Sequence, residues 1–250
     1  MKPALLDTKP RYPRSWQALP MGAELKAVVE AQLEGITQQF FGYHMVKVGN
    51  LSSELKLGQC SIKHCVNMMT KVSEHSSMVS LSREMALLEN SVDAFVLAHE
   101  LDFAQDPHQI LREVDRAIMP DGDLVIVGFN PLSIAGLAKL LSFNRQSLLY
   151  EARFFSVPRL KDWLNLLGFE IMDVKYQPFS TFMFTQKYNG WSRWCEKFLP
   201  KLASVYIIVA KKRTVPMSLI KPKWQPKPKF APVGASMRTR SFEHNARQKE

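Results

Sequence analysis

No apolar run in this chain approaches the roughly 18 or more residues that a membrane-spanning helix needs. Cysteine is scarce: Cys60, Cys65 and Cys195 are an odd set that cannot all pair, and their spacing fits no zinc pattern. A reduced, cytoplasmic setting is the simple expectation. The stretch from Met1 to Pro20 lacks an apolar core while carrying Lys2, Lys9, Arg11 and Arg14, which speaks against a secretory signal. No paired carboxylates, no Cys/His metal set and no Ser/His/Asp arrangement stand out by spacing, and there is no internal repeat. Acids are missing over one long stretch: between Leu55 and Ser73 there is no Asp or Glu, and Glu74 is the first.

What is present suits a large globular domain with an appendage. Hydrophobic residues make up 46% of the 250 and charged residues 22%, enough apolar material to bury a core. The net charge of +10 is unevenly placed. Residues 1–210 hold 22 Lys and Arg against 21 Asp and Glu, whereas residues 211–250 hold 11 against 2. Basicity therefore says nothing about the partners of the body and something about those of the tail.

Three regions follow. Residues 1–21 read as an extended leader, because Pro3, Pro10, Pro13 and Pro20 block a helix. Residues 22–212 read as one α/β domain. Leu25, Val28, Val29, Leu33 and Ile36 recur at spacings of three and four and predict a helix from Gly22 to about Phe41. Short apolar runs predict strands over 43–49, 60–66, 77–81, 92–98, 123–129, 169–176 and 204–210. Helices are expected between them over 109–119, 133–141 and 157–167, the last closed by Gly168. Continuous Val/Ile/Leu strands alternating with helices imply a doubly wound, mostly parallel seven-stranded sheet. Residues 213–250 read as a basic, Lys/Pro-rich disordered tail, in which Lys221-Pro222-Lys223 and Pro226-Lys227-Pro228-Lys229 should be extended and solvated.

One stretch carries a family pattern. Ser91-Val92-Asp93 opens an apolar strand that ends at Ala98. Asp106-Pro107 begins a helix, and Arg116-Ala117-Ile118-Met119-Pro120-Asp121-Gly122 turns into the next strand. This resembles the class I S-adenosylmethionine (SAM)-dependent methyltransferases, in the branch with a type 11 domain. Gly128-Phe129-Asn130-Pro131-Leu132-Ser133 is similar to a bacterial subgroup of that family. The resemblance covers roughly residues 40–210 and implies a Rossmann-like methyltransferase fold, SAM as cofactor and methyl transfer to an acceptor that the sequence does not specify.

The cofactor motif departs from the family's. There, the first strand ends in an acid followed by G-x-G-x-G, and the second ends in an acid that holds the ribose. Here the stretch is Lys47-Val48-Gly49-Asn50-Leu51-Ser52-Ser53, with Lys47 at the acid position and only Gly49 kept. A like charge beside a sulfonium would cost about 1–4 kcal/mol, a ten- to thousandfold loss of affinity. Carried over residue by residue, the resemblance places Gly49 and Asn50 at the methionine end of the cofactor. It places Arg83, Glu84 and Met85 at the adenine and Ala98 at the end of the fourth strand beside the cofactor. His99 and Asn130 directly follow the fourth and fifth strands, where ligands bind in open α/β sheets. His99 is a candidate general base; a strand-end histidine is also commonly a cap. Gly49 and Asn50 could equally form a plain strand-to-helix turn, and the 83–85 loop a surface loop with an apolar plug. Asp93 is expected to be structural, since in the resembling family its position helps hold the loop before the fourth strand.

Two functions remain open on this reading: a SAM-dependent methyltransferase with a lid over residues 179–200, and a methyltransferase-like scaffold that has lost its cofactor and acts as an interaction module. The aromatic segment Phe179 to Phe198 suits a substrate wall or a helix packed on the core. The tail, with Trp224 and Phe230 among its lysines, suits RNA, an acidic partner or plain solubilisation.

Overall fold

A computed structural model describes Leu5 and residues 10–133, 148–177 and 203–214. Seven strands form one sheet: β1 (His44–Val48), β2 (His64–Met69), β3 (Met78–Val79), β4 (Val92–Ala98), β5 (Ile118–Phe129), β6 (Phe169–Gln177) and β7 (Val205–Lys212). Their order is β3-β2-β1-β4-β5-β7-β6. β1 to β5 are parallel to one another, and β7 is antiparallel to both β5 and β6. The order reverses between β1 and β4, so the carboxyl ends of those two strands flank the crevice where open α/β sheets bind ligands.

The sheet is covered on both faces, and the period of two shows it. Ala94, Val96 and Ala98 of β4, Val125 and Val127 of β5, and Ile207 and Val209 of β7 enter one core with helix α1 (Gly22–Thr37). Phe95 and Leu97, Leu124 and Ile126, and Tyr206 and Ile208 enter the other, with helix α3 (Pro107–Ala117) and helix α5 (Val157–Leu166). Two four-residue helices, α2 (Asn50–Ser53) and α4 (Leu148–Glu151), complete the described set. α3 shows why its sequence is helical. Asp106 caps it by accepting from the amides of His108 at 3.0 Å and Gln109 at 3.2 Å, Pro107 fills the first turn, and Ile110, Leu111, Val114 and Ala117 form the buried stripe.

Several boundaries differ from the sequence-based expectation. β2 begins at His64, not at residue 60, because Cys60 and Ile62 are drawn into the core under α1. β5 begins at Ile118, upstream of the Pro120-Asp121-Gly122 turn, because Ile118 already pairs with Val92 before an irregularity in the β4–β5 register. The leader packs: Trp16 is 1% exposed, and its indole Nε1 donates to the Leu51 carbonyl at 2.8 Å. The helix expected over 133–141 (beyond Ser133), the aromatic segment 179–200 and the tail beyond residue 214 lie outside the described residues. Among the described residues no helix is long and apolar enough to cross a membrane.

Asp93 is structural, but what it holds is the start of β1 and not the loop before β4. Its Oδ2 accepts from the amides of Tyr43 and His44, each at 2.9 Å. Asp93→Ala should therefore cost about 1–3 kcal/mol, read as a lower denaturant midpoint with an unchanged slope.

Candidate active site at the carboxyl ends of β1 and β4

β1 leaves the sheet through Gly49, whose φ of +88° lies in the left-handed region that glycine adopts without strain. A side chain is excluded here for a second reason. A Cβ on Gly49 would collide with Oε2 of Glu100 and with the hydroxyl of Tyr12. The bare backbone of the glycine thus faces a carboxylate and a phenol.

β4 ends in a second left-handed residue, His99, with φ +55°. This is an uncommon conformation for a non-glycine side chain, and packing enforces it. The ring is fully buried, stacked on Phe129 at 3.9 Å between centroids, edge-on to Trp16 at 5.6 Å, and held through Nδ1 by Asp102 Oδ2 at 2.9 Å. Asp102 Oδ2 also accepts from the Phe129 amide at 3.0 Å, which ties the β4 turn to the end of β5. The turn so fixed is the one that carries Glu100 against Gly49.

Glu100 is 5% exposed. Its Oε1 accepts from the Ser82 hydroxyl at 2.5 Å, and its Oε2 accepts a short hydrogen bond from Tyr12. Burial first, and then the charge of Glu100 and the hydrogen bond to it, push the Tyr12 phenol well above its usual range. Tyr12 is therefore a neutral donor at any ordinary pH. Its ring stands edge-on to Phe103 at 5.8 Å. The leader that brings it is anchored by Asn50 Nδ2 donating to the Pro13 carbonyl at 3.1 Å and by Arg11 pairing with Glu151 at 2.5 Å.

A cleft of about 250 Å3 opens here, lined by Gly49, Asn50, Thr70, Ser82, Arg83 and Glu100 among others. A second cavity of about 880 Å3 lies under the leader and shares Tyr12, Asn50 and Thr70 with it. Thr70 directly follows β2, so a hydroxyl occupies the strand end where the family pattern has an acid.

Lys47 corrects the sequence reading. Its ammonium does not face the cleft. It donates to the carbonyls of Leu55 at 3.0 Å and Ser53 at 3.4 Å, in a separate depression with Lys26, Lys56 and His75. Burial pushes its pKa down, yet the two carbonyls compensate part of the lost hydration. Leu51 and Ser53, which stand where the family has glycines, also leave the cleft open. Leu51 is fully buried in the core, and Ser53 Oγ donates back to the Gly49 carbonyl at 2.8 Å.

Of the residues singled out in the sequence, Gly49, Asn50 and Arg83 line the cleft together. Glu84 is exposed beside it, and Met85 packs into the core, 4% exposed, with its amide on Glu113 Oε2 at 3.0 Å. Ala98 is fully buried and its amide donates to Ser52 Oγ at 2.7 Å. Asn130 is 3% exposed, with Nδ2 on the Ala203 carbonyl at 2.8 Å and Oδ1 accepting from the Leu132 amide at 3.1 Å. Neither His99 nor Asn130 lines the described cavities. Tyr12, Ser82 and Glu100 were not singled out. Glu100 had a signal, as a second polar residue after His99 at the end of an apolar strand. Tyr12, 88 residues away in a proline-rich leader, had none.

The strand order, the glycine exit from β1 and the cleft at the β1–β4 switch define a class. The chain has the fold of the class I SAM-dependent methyltransferases, a family whose cofactor is S-adenosylmethionine. Residues 61–126 match the model of the methyltransferase domain family. Over 222 residues the chain is 36% identical to the uncharacterized protein YafS of Escherichia coli K12, covering 88% of this chain and 89% of that one. Among solved structures, a SAM-dependent methyltransferase of Thermotoga maritima superposes with a TM-score of 0.54 at 17% identity, over 79% of this chain and 99% of the other. One from Archaeoglobus fulgidus gives 0.51 at 17%, over 75% and 94%. The [4+2]-cyclase SpnF gives 0.50 at 16%, over 84% and 86%.

Because the Lys47 ammonium points away from the cleft, Lys47→Met should change SAM affinity by less than about twofold in calorimetric titration. A tenfold rise would place the ammonium at the cofactor after all.

Proposed function

We propose that the chain is a SAM-dependent methyltransferase that binds its cofactor in the cleft between Gly49 and Glu100. The observation that carries this reading is the cleft at the β1–β4 switch, whose lining joins the left-handed Gly49 exit to the Glu100 carboxylate. The polar groups suit the parts of the ligand. Gly49 and Asn50 take the methionine end, and the Thr70 hydroxyl takes the ribose in place of an acid. Leu81, Ser82 and Arg83 take the adenine edge, with Ile110 beneath. The cofactor supplies an electrophilic methyl group on a sulfonium. The residues of this chain orient it, exclude water and leave one approach to it, which is most of what an in-line transfer needs. His99 acts in this reading as a positioning residue that sets the Glu100 turn, and Asn130 as a clamp between the ends of β5 and β7. The larger cavity under the leader is the approach for the acceptor. The free thiols of Cys60 and Cys65 fit a cytoplasmic setting.

A second reading has its own support. Tyr12 already lies over Gly49, as a plug would, and a scaffold that has lost its cofactor would look the same there. Titration of the full chain with SAM and with S-adenosylhomocysteine separates the two. Micromolar dissociation constants are expected, and silence at millimolar concentration would leave only the scaffold.

A further inference from the structure

The sequence removes both acids that the family pattern places at the ends of the first two strands, and the structure removes Lys47 from the cleft. We propose that Glu100 takes over their charge: its carboxylate binds the α-ammonium of the cofactor's methionine end. Tyr12 and Ser82 are the groups that aim it. This rests on the cofactor reading above and adds to it the residue that recognises the cation.

Position is the first argument. Glu100 Oε2 packs against the Gly49 backbone, and Glu100 lines the cleft with Gly49 and Asn50, beside the place that the methionine end takes in that reading. Charge is the second. Three ionisable side chains other than Tyr12 line the cleft: Arg83, Glu100 and Asp106. Asp106 spends its Oδ1 on two amides at the start of α3, and Arg83 is exposed on the β3-side loop. Glu100 is the acid set over the glycine, and in a site this dry a carboxylate attracts a cation more strongly than it would in water.

Aim is the third argument. A glutamate side chain is mobile, and ordering it costs entropy. Here the two oxygens are fixed by hydroxyls from two separate segments, Tyr12 from the leader and Ser82 from the loop after β3. Both hydroxyls are neutral, and the high pKa of Tyr12 keeps it so. They orient the carboxylate without neutralising it. The leader thereby becomes part of the cofactor site: Tyr12 is a positioning residue delivered by a segment that the rest of the fold does not need for its sheet.

Calorimetric titration of the full chain tests this with two probes. S-adenosylhomocysteine carries the ammonium, and 5′-methylthioadenosine keeps the nucleoside thioether and lacks the amino-acid end. Glu100→Gln should weaken S-adenosylhomocysteine at least tenfold and change methylthioadenosine less than twofold. Unchanged affinity for S-adenosylhomocysteine would overturn the role of Glu100 while leaving the cofactor site in place. An equal loss for both probes would also overturn it, because the carboxylate would then only hold the cleft together. If the wild-type chain binds neither probe, it is the cofactor reading that fails, and this one with it. Should Glu100→Gln not fold, the wild type alone decides. The deaminated analogue of S-adenosylhomocysteine, which keeps the carboxylate and lacks the amine, should bind at least tenfold more weakly than the parent, and equal binding refutes the proposal.

Discussion

The contact between the Glu100 carboxylate and the bare backbone of Gly49 is the constraint around which the rest of the site is arranged. It forbids a side chain at Gly49. It requires the β4 turn to pass through a left-handed histidine, which is held by burial, by stacking on Phe129 and by Asp102. The leader crosses the ends of the strands with it, where Tyr12 donates to Glu100 and Trp16 to the Leu51 carbonyl. Three regions far apart in sequence are thus coupled through one carboxylate: residues 12–16, 49–53 and 99–102.

The seven strands and the faces they bury were legible because they depend on period and composition. Val125-Ile126-Val127 between a turn and a polar Asn can only be a buried strand, and the stripe from Ile110 to Ala117 can only be one helix face. β2 was misplaced by four residues at its start because Cys60 and Ile62 carry an apolar signal that serves the core under α1 and not the sheet. The lining of the cleft was legible at the exit of β1, at Gly49 and Asn50, and illegible where it depends on which way a side chain turns. Lys47 has the sequence position of a cofactor-facing residue and turns instead to the carbonyls of Ser53 and Leu55. Glu100 has no place in the family pattern and turns in. Alternation along a strand cannot report this, because both residues sit at or beside strand ends where the turn sets direction.

The family alone does not set the reaction. A fold shared by methyltransferases and by a [4+2]-cyclase is a frame for a nucleoside, and what happens beside it depends on local groups. In the cleft of this chain those groups are a hydroxyl after β2, Thr70, and a carboxylate against the glycine, Glu100. On the reading proposed above, a charge lost from two strand ends is restored from a third, and a cationic ligand responds to the sign of that charge.

The most direct measurement is a crystal structure of the full chain with S-adenosylhomocysteine bound. The account predicts the amino nitrogen within hydrogen-bond distance of a Glu100 carboxylate oxygen and the ribose at Thr70. An amino group held elsewhere, with Glu100 still closed between Tyr12 and Ser82 and out of reach, would contradict it.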